Sequence, residues 1–198
     1  MRRIVFATGN EGKLREIKNI MADLPVEVVS MKEAGIEADI EETGATFEEN
    51  AKIKAQAVAA YTDDIVLADD SGLEIDYLNK EPGVYSARYL GENTSYEIKN
   101  QTILDRLAGV QKEKRTARFV CAIAAVLPSK ETLVTRETIE GYIGEKPAGE
   151  NGFGYDPIFY VEEYQCSTAE LSEEQKNAIS HRGKALRAMK KLLREYGA

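Results

Sequence analysis

Two long segments rich in β-branched and aromatic residues, Arg118–Leu127 and Thr132–Ile143, follow one another with only four residues between them. Consecutive strands with so short a connection must run antiparallel, because a parallel neighbour needs a crossover of a dozen or more residues. The chain opens differently, since a helical pattern separates the strand candidates Arg3–Thr8 and Val26–Met31. This combination predicts an α/β fold with a mixed sheet and long antiparallel central strands. Further strands are predicted at Ile65–Ala68, Leu73–Leu78 and Pro157–Val161.

Apolar residues with a 3.6-residue period predict three helices, with stripes over Leu14–Leu24, Phe47–Val58 and Leu186–Tyr196. Three capping-box patterns, a hydroxyl residue followed three positions later by Glu or Gln, predict helix starts at Thr46, Thr94 and Ser172.

Composition restricts the possible classes of function. The 198 residues include 26 basic and 34 acidic side chains, a formal net charge of −8, and 43% of the residues are apolar. A single domain over residues 1–198 is expected for this length. An acidic chain is a poor general binder of nucleic acid or anionic membranes, because both require a cationic surface. We therefore expect no nucleic-acid partner and no membrane partner.

Cysteine and histidine usage restricts the compartment and the metal chemistry. Cys121 and Cys166 form no CxxC pair, which argues against a disulfide framework or a thiolate zinc site. His181 is the sole histidine, so one chain holds no multi-histidine metal centre. The longest apolar run, Val120–Leu127, is too short to span a membrane, and Ile4–Ala7 is too short for a signal-peptide core. We expect a soluble cytoplasmic protein.

A glycine-containing turn, Thr8-Gly9-Asn10-Glu11-Gly12-Lys13, joins the first strand candidate to the first helix. Backbone N–H groups converge at such a helix N-terminus, which suits an oxyanion such as phosphate, and Lys13 adds a positive charge. The phosphate-loop pattern GxxxxGK[ST] is not met, because the glycines are too close together and Leu14 stands at the hydroxyl position. An ordinary βα turn is an equally good interpretation of this segment alone.

Two acidic pairs are candidates for a metal site. Asp69 and Asp70 lie at the expected end of a strand, where α/β folds place ligands, and Glu41 and Glu42 precede the capped helix at Thr46. Together they supply hard oxygens for Mg²⁺, which takes one or two carboxylates and substrate phosphates. Any pair of these acids is chemically possible. Turn formation and the helix dipole are the alternative explanations.

The segment Asn151–Pro157 places Phe153 between two glycines and close to Asp156. Glycines allow close approach of the backbone, and an aromatic face beside a hydrogen-bond acceptor suits a purine ring. A tight turn before a strand explains the same pattern.

Hydrogen-bond donors follow at Lys176, His181 and Arg182. They favour a base with an oxo group over one with an amino group, since burying a donor against a donor costs ~1–3 kcal/mol. A lone histidine is more often a structural hydrogen-bonding residue than a catalytic base.

Seven segments carry a resemblance to a known family: ATGNEGK (Ala7–Lys13), EETGATFEENAKIKA (Glu41–Ala55), ADDSGLEID (Ala68–Asp76), PGVYSARY (Pro82–Tyr89), PAGENGFGYDPIF (Pro147–Phe159), TAEL (Thr168–Leu171) and KNAISHRGKAL (Lys176–Leu186). In this order the chain resembles the non-standard purine nucleoside triphosphate pyrophosphatases, also called inosine/xanthosine triphosphate pyrophosphatases.

The resemblance implies hydrolysis of ITP, dITP and XTP between the α and β phosphorus, which keeps deaminated purines out of DNA and RNA. It also implies a Mg²⁺ cofactor, a homodimer, and two lobes with an active-site cleft between them. Implied metal ligands are Glu41 and Asp70, and Asp70 would also activate the attacking water. Implied substrate contacts are Thr8, Gly9, Asn10, Glu11, Gly12 and Lys13 for the triphosphate, Ser71, and Phe153, Gly154, Tyr155, Asp156, Lys176, His181 and Arg182 for the base. Lys13 would also stabilise the developing charge.

Two other hypotheses are compatible with the same motifs. A related pyrophosphatase would prefer modified pyrimidine or methylated nucleotides. A non-catalytic nucleotide sensor would bind without turnover, although acids beside a phosphate-binding turn favour catalysis over storage.

Overall fold

The computed structural model describes residues 2–197, and within them seven strands form one mixed sheet. The strands are β1 (Arg2–Phe6), β2 (Val26–Ser30), β3 (Ile65–Ile75), β4 (Thr116–Val126), β5 (Thr132–Ile143), β6 (Phe159–Val161) and β7 (Cys166–Ser167). Their order in the sheet is β2-β1-β3-β4-β5-β6-β7. The predicted α/β class is confirmed.

Strand direction changes across this sheet. β1 is parallel to β2, with Ile4 opposite Val28, and parallel to β3, with Ile4 opposite Ile65. β6 is antiparallel to β5 and to β7. β4 and β5 are neighbours joined by five residues, which is far too short for a parallel crossover. The long antiparallel pair predicted from the sequence is thus present in the middle of the strand order.

The α-helices are α1 (Glu11–Met21), α2 (Phe47–Ala59), α3 (Tyr96–Arg106), α4 (Glu173–Ile179) and α5 (His181–Glu195). Short 3₁₀ helices cover Asp76–Leu78, Gly83–Arg88, Lys112–Lys114 and Asp156–Ile158. Thr46 caps α2, and Ser172 forms a complete capping box with Gln175, as predicted. The predicted start at Thr94 is wrong by one residue. Ser95 caps α3, because the Thr94 hydroxyl donates instead to the Leu90 carbonyl.

The described chain divides into two compact units. The first unit comprises residues 2–70, 121–137 and 182–197, and the second comprises residues 71–120 and 138–181. In the first unit, α1 and α5 bury Ile17 and Met189 in one cluster with β1 residues. In the second unit, α3 buries Ile103 and Leu104 in a cluster that includes Phe159. Each unit thus has its own apolar core.

β3 differs most from the prediction. Ile65–Ala68 and Leu73–Leu78 were expected to be two strands with a turn between them, but one strand runs from Ile65 to Ile75. Asp69 and Asp70 therefore lie inside a strand, where both are almost fully buried. Charged residues are tolerated there because other side chains neutralise them, and local pattern rules do not include such distant partners.

Smaller differences concern strand ends. β1 ends at Phe6 rather than Thr8, and β6 begins at Phe159 because Pro157 lies in a 3₁₀ turn. The two-residue strand β7 has no sequence signal of its own. Among residues 2–197, no helix combines the length and apolar character needed to cross a membrane.

Candidate active site

The turn after β1 is held by its own side chains. The Thr8 hydroxyl oxygen accepts a hydrogen bond from the Asn10 backbone N–H at 3.1 Å, and Asn10 Oδ1 accepts from the Lys13 N–H at 3.1 Å. Asn10 is thereby the N-cap of α1. The turn places the N-terminus of α1, with its partial positive charge, directly after the strand. The structure therefore brings Thr8–Lys13 together in a form that suits an oxyanion.

Lys13 and Arg182 converge on Asp69 in the first unit. Lys13 Nζ lies 2.8 Å from Asp69 Oδ2, and Arg182 Nε lies 3.4 Å from the same oxygen. Burial by itself raises the pKa of Asp69, but these two cations outweigh burial and hold the pKa well below its usual range. Asp69 is therefore an ionised anchor for two cations.

Asp70 has different partners. Asn50 Nδ2 donates to Asp70 Oδ2 at 3.1 Å, and Lys54 Nζ lies 3.5 Å from Asp70 Oδ1. Lys54 also lies 2.9 Å from Glu42 Oε1. Burial raises the pKa of Asp70; Lys54 opposes this increase, and the nearby Glu42 charge adds to it. Asp70 is thus a carboxylate whose affinity for a proton is increased.

Strand geometry explains why two adjacent acids have separate environments. Successive side chains of β3 point to opposite faces of the sheet, so Asp69 and Asp70 face different elements. Asp69 meets side chains of α1 and α5, whereas Asp70 meets α2. Asn50 and Lys54 are four residues apart on α2 and therefore share one helix face.

Asn50 also connects Asp70 to the acidic loop before α2. Gly44 N donates to Asn50 Oδ1 at 2.8 Å. A Cβ at position 44 would lie 2.6 Å from the same oxygen, so this close approach requires glycine. The EETG motif is therefore held against α2 at Gly44, with Glu42 half-buried and Glu41 exposed.

The acids near Asp70 are the candidate ligands for a divalent cation. Within residues 2–197, no group of three or more His, Cys, Asp and Glu side chains is arranged to hold a metal ion. Glu42 and Asp70 approach a common point, because both contact the Lys54 ammonium. One or two carboxylates are what Mg²⁺ takes from a protein, with water and phosphate oxygens as its other ligands, so Glu42 and Asp70 are chemically suitable donors. Glu41 stays a predicted ligand.

The second unit holds the predicted base-binding turn, which is organised by the buried Asp156. Asp156 Oδ2 accepts from the Phe153 backbone N–H at 2.8 Å and pairs with Lys176 Nζ at 2.5 Å, while Oδ1 accepts from the Thr168 hydroxyl. Gly152 has a φ of +74°, and a Cβ there would lie 2.3 Å from Asp156 Oδ2. This turn therefore requires glycine at position 152.

Two aromatic residues of this turn have different surroundings. The Phe153 side chain is exposed, and Lys176 Nζ lies 4.9 Å from its ring centroid. Tyr155 is buried and donates its hydroxyl to the Ser86 carbonyl at 2.7 Å. Phe153 consequently presents exposed ring surface beside a cation, whereas the Tyr155 side chain is buried and tied to Ser86.

The other predicted substrate residues are distributed between the units. His181 begins α5 and stacks on Phe119, with ring centroids 5.2 Å apart. Ser71 follows Asp70 in β3 and is half-buried. Lys176, His181 and Ser71 belong to the second unit, and Arg182 belongs to the first.

Comparisons with known proteins place the chain in a family. The sequence model of the Ham1 family matches residues 4–192. The chain belongs to the Ham1 family. It is 50% identical over 193 residues to a dITP/XTP pyrophosphatase of Bacillus subtilis, covering 98% of each chain, and 52% identical over 188 residues to one of Thermoanaerobacter pseudethanolicus, covering 95% and 94%.

A solved Ham1 structure supports the same placement. The Staphylococcus aureus Ham1 protein superposes with a TM-score of 0.91 at 45% identity, covering 98% of this chain and 100% of that chain. The family resemblance predicted from the seven motifs is therefore confirmed.

Sequence reasoning missed two residues of this Ham1 chain that contact Asp70, namely Asn50 and Lys54. The only available signal is that Asn50 lies three positions after Phe47, at the edge of the apolar stripe of α2, where the structure buries it fully. A buried amide needs a hydrogen-bond partner, but only the structure identifies that partner as Asp70.

A cavity of about 290 Å³ was also missed. It adjoins the turn at Thr8 and Gly9 in the first unit, and its remaining lining residues are Met31, Lys32, Gly35, Ile36 and Glu37. The loop after β2 supplies these residues and carries no motif, so composition and spacing gave no indication of a cavity.

Proposed function

We propose that this Ham1-family chain is a hydrolase that cleaves non-standard purine nucleoside triphosphates, namely ITP, dITP and XTP, between the α and β phosphorus. The products are a nucleoside monophosphate and pyrophosphate. One observation carries the proposal. On one face of β3, Asp69 holds a lysine and an arginine, and on the opposite face Asp70 is a carboxylate that can accept a proton. The names of relatives at about 50% identity support the choice of substrate.

The triphosphate is assigned to the first unit. The N-terminus of α1 and the Lys13 ammonium attract phosphate oxygens, and Asp69 keeps the Lys13 side chain in a fixed position. Positioning and charge stabilisation supply most of the rate acceleration in phosphoryl-group chemistry. Lys13 would therefore stabilise the negative charge that develops on the departing pyrophosphate.

Asp70 is proposed as the general base. An attacking water loses its proton to Asp70, its oxygen bonds to the α phosphorus, and the bond from this phosphorus to the bridging oxygen breaks as pyrophosphate leaves. Burial raises the pKa of Asp70, which makes it a stronger proton acceptor than an exposed aspartate. Mg²⁺ held by Asp70 together with Glu41 or Glu42 would make the bound water more acidic and reduce the negative charge of the phosphates.

Base recognition is assigned to the second unit. The exposed Phe153 ring would stack on the purine, and Lys176 would donate to the oxygen at C6 of hypoxanthine or xanthine. Adenine has an amino group at this position, so Lys176 would face a second donor and lose a hydrogen bond. His181, Arg182 and Ser71 are further proposed contacts with the substrate.

Other expectations from the family resemblance remain proposals. We propose a homodimer in the cytoplasm, with a nucleotide substrate and with neither nucleic acid nor a membrane as a partner. The removal of deaminated purine nucleotides before they enter DNA and RNA would be its cellular role. Sedimentation at several protein concentrations tests the dimer.

A product assay tests the proposed reaction. The protein is incubated with ITP and Mg²⁺, and IMP with pyrophosphate is the expected product pair. IDP with phosphate would place the cleavage one bond further out and contradict the proposal. Parallel assays with dITP, XTP, ATP, GTP and modified pyrimidine triphosphates test the substrate class, and excess EDTA should abolish turnover. Faster turnover of the pyrimidines would favour the related pyrophosphatases, and no turnover at all would favour a sensor.

A further inference from the structure

An unusual buried amide lies next to the Phe153 turn. Asn100 is on α3 in the second unit and only 6% exposed. Its Nδ2 donates to the Gly154 carbonyl at 3.1 Å. Its Oδ1 is buried and has no hydrogen-bond partner among residues 2–197. One half of this amide is thus used, and the other half is a buried acceptor without a donor.

An unpaired buried acceptor makes the folded state less stable, whereas a leucine of similar size would bury no polar atom. Packing alone therefore does not explain an amide at position 100. The feature that a leucine cannot reproduce is the hydrogen bond from Nδ2 to Gly154. We infer that this bond has a purpose other than stability.

The backbone direction at Gly154 depends on contacts with residues outside the turn. Its φ is +67°, a conformation that glycine adopts without strain, and the residue is half-buried. On one side, the Phe153 N–H is held by Asp156. On the other side, the Tyr155 hydroxyl is held by the Ser86 carbonyl. The Gly154 carbonyl lies between these two anchors, and Asn100 fixes its direction.

The Tyr96 ring also lies against the segment at Gly154 and Tyr155. A Cβ at position 154 would lie 3.5 Å from the Tyr96 ring, and this ring packs edge-to-face on Tyr155 with centroids 5.2 Å apart. Tyr96 is only four residues before Asn100, so both lie on one face of α3. One helix face therefore holds the backbone directly after Phe153.

We propose that Asn100 is a positioning residue for base recognition: by fixing the Gly154 carbonyl, it fixes the orientation of the exposed Phe153 ring. This rests on the proposed function, in which Phe153 stacks on the purine. Without the Nδ2 donor, the glycine peptide rotates and the ring samples more orientations. Affinity for the base then decreases, while the phosphate chemistry assigned to Asp70 and Lys13 is retained.

The test compares Asn100→Leu with Ile103→Val. Ile103 is fully buried on the same helix, so its truncation weakens the core without contacting Gly154. Asn100→Leu should be at least as stable as the wild type to heat and urea. Its KM for ITP should nevertheless rise about fivefold with kcat within about twofold, the size expected for one lost hydrogen bond. Ile103→Val should lose stability and keep its KM.

A second variant strengthens the test. Asn100→Asp keeps the shape but places an acceptor against the Gly154 carbonyl, so its KM should rise more than that of Asn100→Leu. A purely structural role for Asn100 predicts the reverse pattern for the leucine variant, with lower stability and an unchanged KM. That result would overturn the proposal.

Amide hydrogen exchange separates this proposal from the proposed function. The peptide that spans residues 151–156 should exchange faster in Asn100→Leu than in the wild type, and no faster in Ile103→Val. Equal exchange in Asn100→Leu and the wild type would overturn the proposal that Asn100 holds the turn, independently of which substrate the enzyme hydrolyses. A wild-type protein that leaves ITP intact would instead overturn the proposed function, and the exchange experiment would still decide whether Asn100 holds the turn.

Discussion

Asp69 of the first unit and Asp156 of the second are both buried carboxylates that hold a lysine, but the surroundings differ. Asp69 pairs with Lys13 and Arg182, and its neighbour Asp70 pairs with Lys54. Within residues 2–197, Asp156 pairs with one lysine, and its other contacts fix the glycine turn that carries an exposed aromatic ring.

Under the proposed function, this difference corresponds to different tasks for the two units. Several charges close together suit a triphosphate, whose recognition depends on electrostatic attraction. One charge beside a flat apolar ring suits a base, whose recognition depends on shape and on the direction of hydrogen bonds. Substitutions in the first unit should therefore change the rate for all substrates, and those in the second should change the preference among bases.

The largest effect is expected for Asp70→Asn. Amide substitution keeps the shape but removes the proton acceptor, so turnover of ITP should fall by about 10³-fold, within the range for general bases. Asp64→Asn is a suitable control, because Asp64 pairs with Arg3 in the same unit. Calorimetry should show that Asp70→Asn still binds ITP. Turnover within tenfold of the wild type would mean that another group accepts the proton.

Arg182→Met should lower the stability of the fold in addition to removing a proposed substrate contact. It removes one of the two cations that neutralise Asp69, so the free energy of unfolding in urea should fall by ~3 kcal/mol, the low end for a broken buried pair because Lys13 remains. Arg194→Met on the same helix removes an exposed pair and should change stability little. If Arg182→Met instead kept its stability and narrowed the gap between ITP and ATP, Arg182 would belong with the base-recognising residues.

Lys176→Met should change the preference between ITP and ATP rather than the rate of ITP hydrolysis. Loss of the donor to the C6 oxygen should narrow the ratio of kcat/KM for ITP over ATP by about tenfold. Lys112→Met is a matched control in the same unit, since Lys112 also contacts a carboxylate, at 2.9 Å, and an aromatic ring, at 4.3 Å. An unchanged ratio in Lys176→Met would place base recognition elsewhere.

The smallest effects concern protonation of Asp70 in the metal-free protein, observed by carboxyl NMR. Its pKa should lie above the ordinary 3.8; Glu42→Gln should lower it by removing a negative charge, and Lys54→Met should raise it by removing a positive one. Shifts of the same sign in both variants would contradict this geometry.

The pKa shifts of Asp70 and Asp69 predict opposite dependences of folding stability on pH. Because the folded-state pKa of Asp70 is raised, its stabilising contribution is present below pH 3.8 and is lost as pH rises through the folded pKa. Asp69 has a lowered pKa, so its contribution is present above pH 3.8 and is lost as pH falls toward the folded pKa. Urea unfolding of Asp69→Asn and Asp70→Asn across acidic pH tests these two signs.

Local sequence patterns predicted most elements of this fold. Thr46 and Ser172 marked helix starts correctly because capping depends on residues three positions apart. The long strands β4 and β5 were evident because alternation and β-branched residues act over a few positions. The motifs carried the resemblance to the non-standard purine nucleoside triphosphate pyrophosphatases, which the match to the Ham1 family supports, and they predicted the phosphate turn and the Phe153 turn as candidate sites.

Only the tertiary structure decided what the charged residues contact. Asp69 and Asp70 looked like a turn, yet they lie within β3, and the alternation of the strand gives them separate partners on α1, α5 and α2. Arg182 and Asp69 are 113 positions apart, and Asn100 and Gly154 are 54 apart. Capping, alternation and turn formation depend on neighbours in the chain, whereas the neutralisation of a buried charge depends on whichever residues the fold places within a few ångströms.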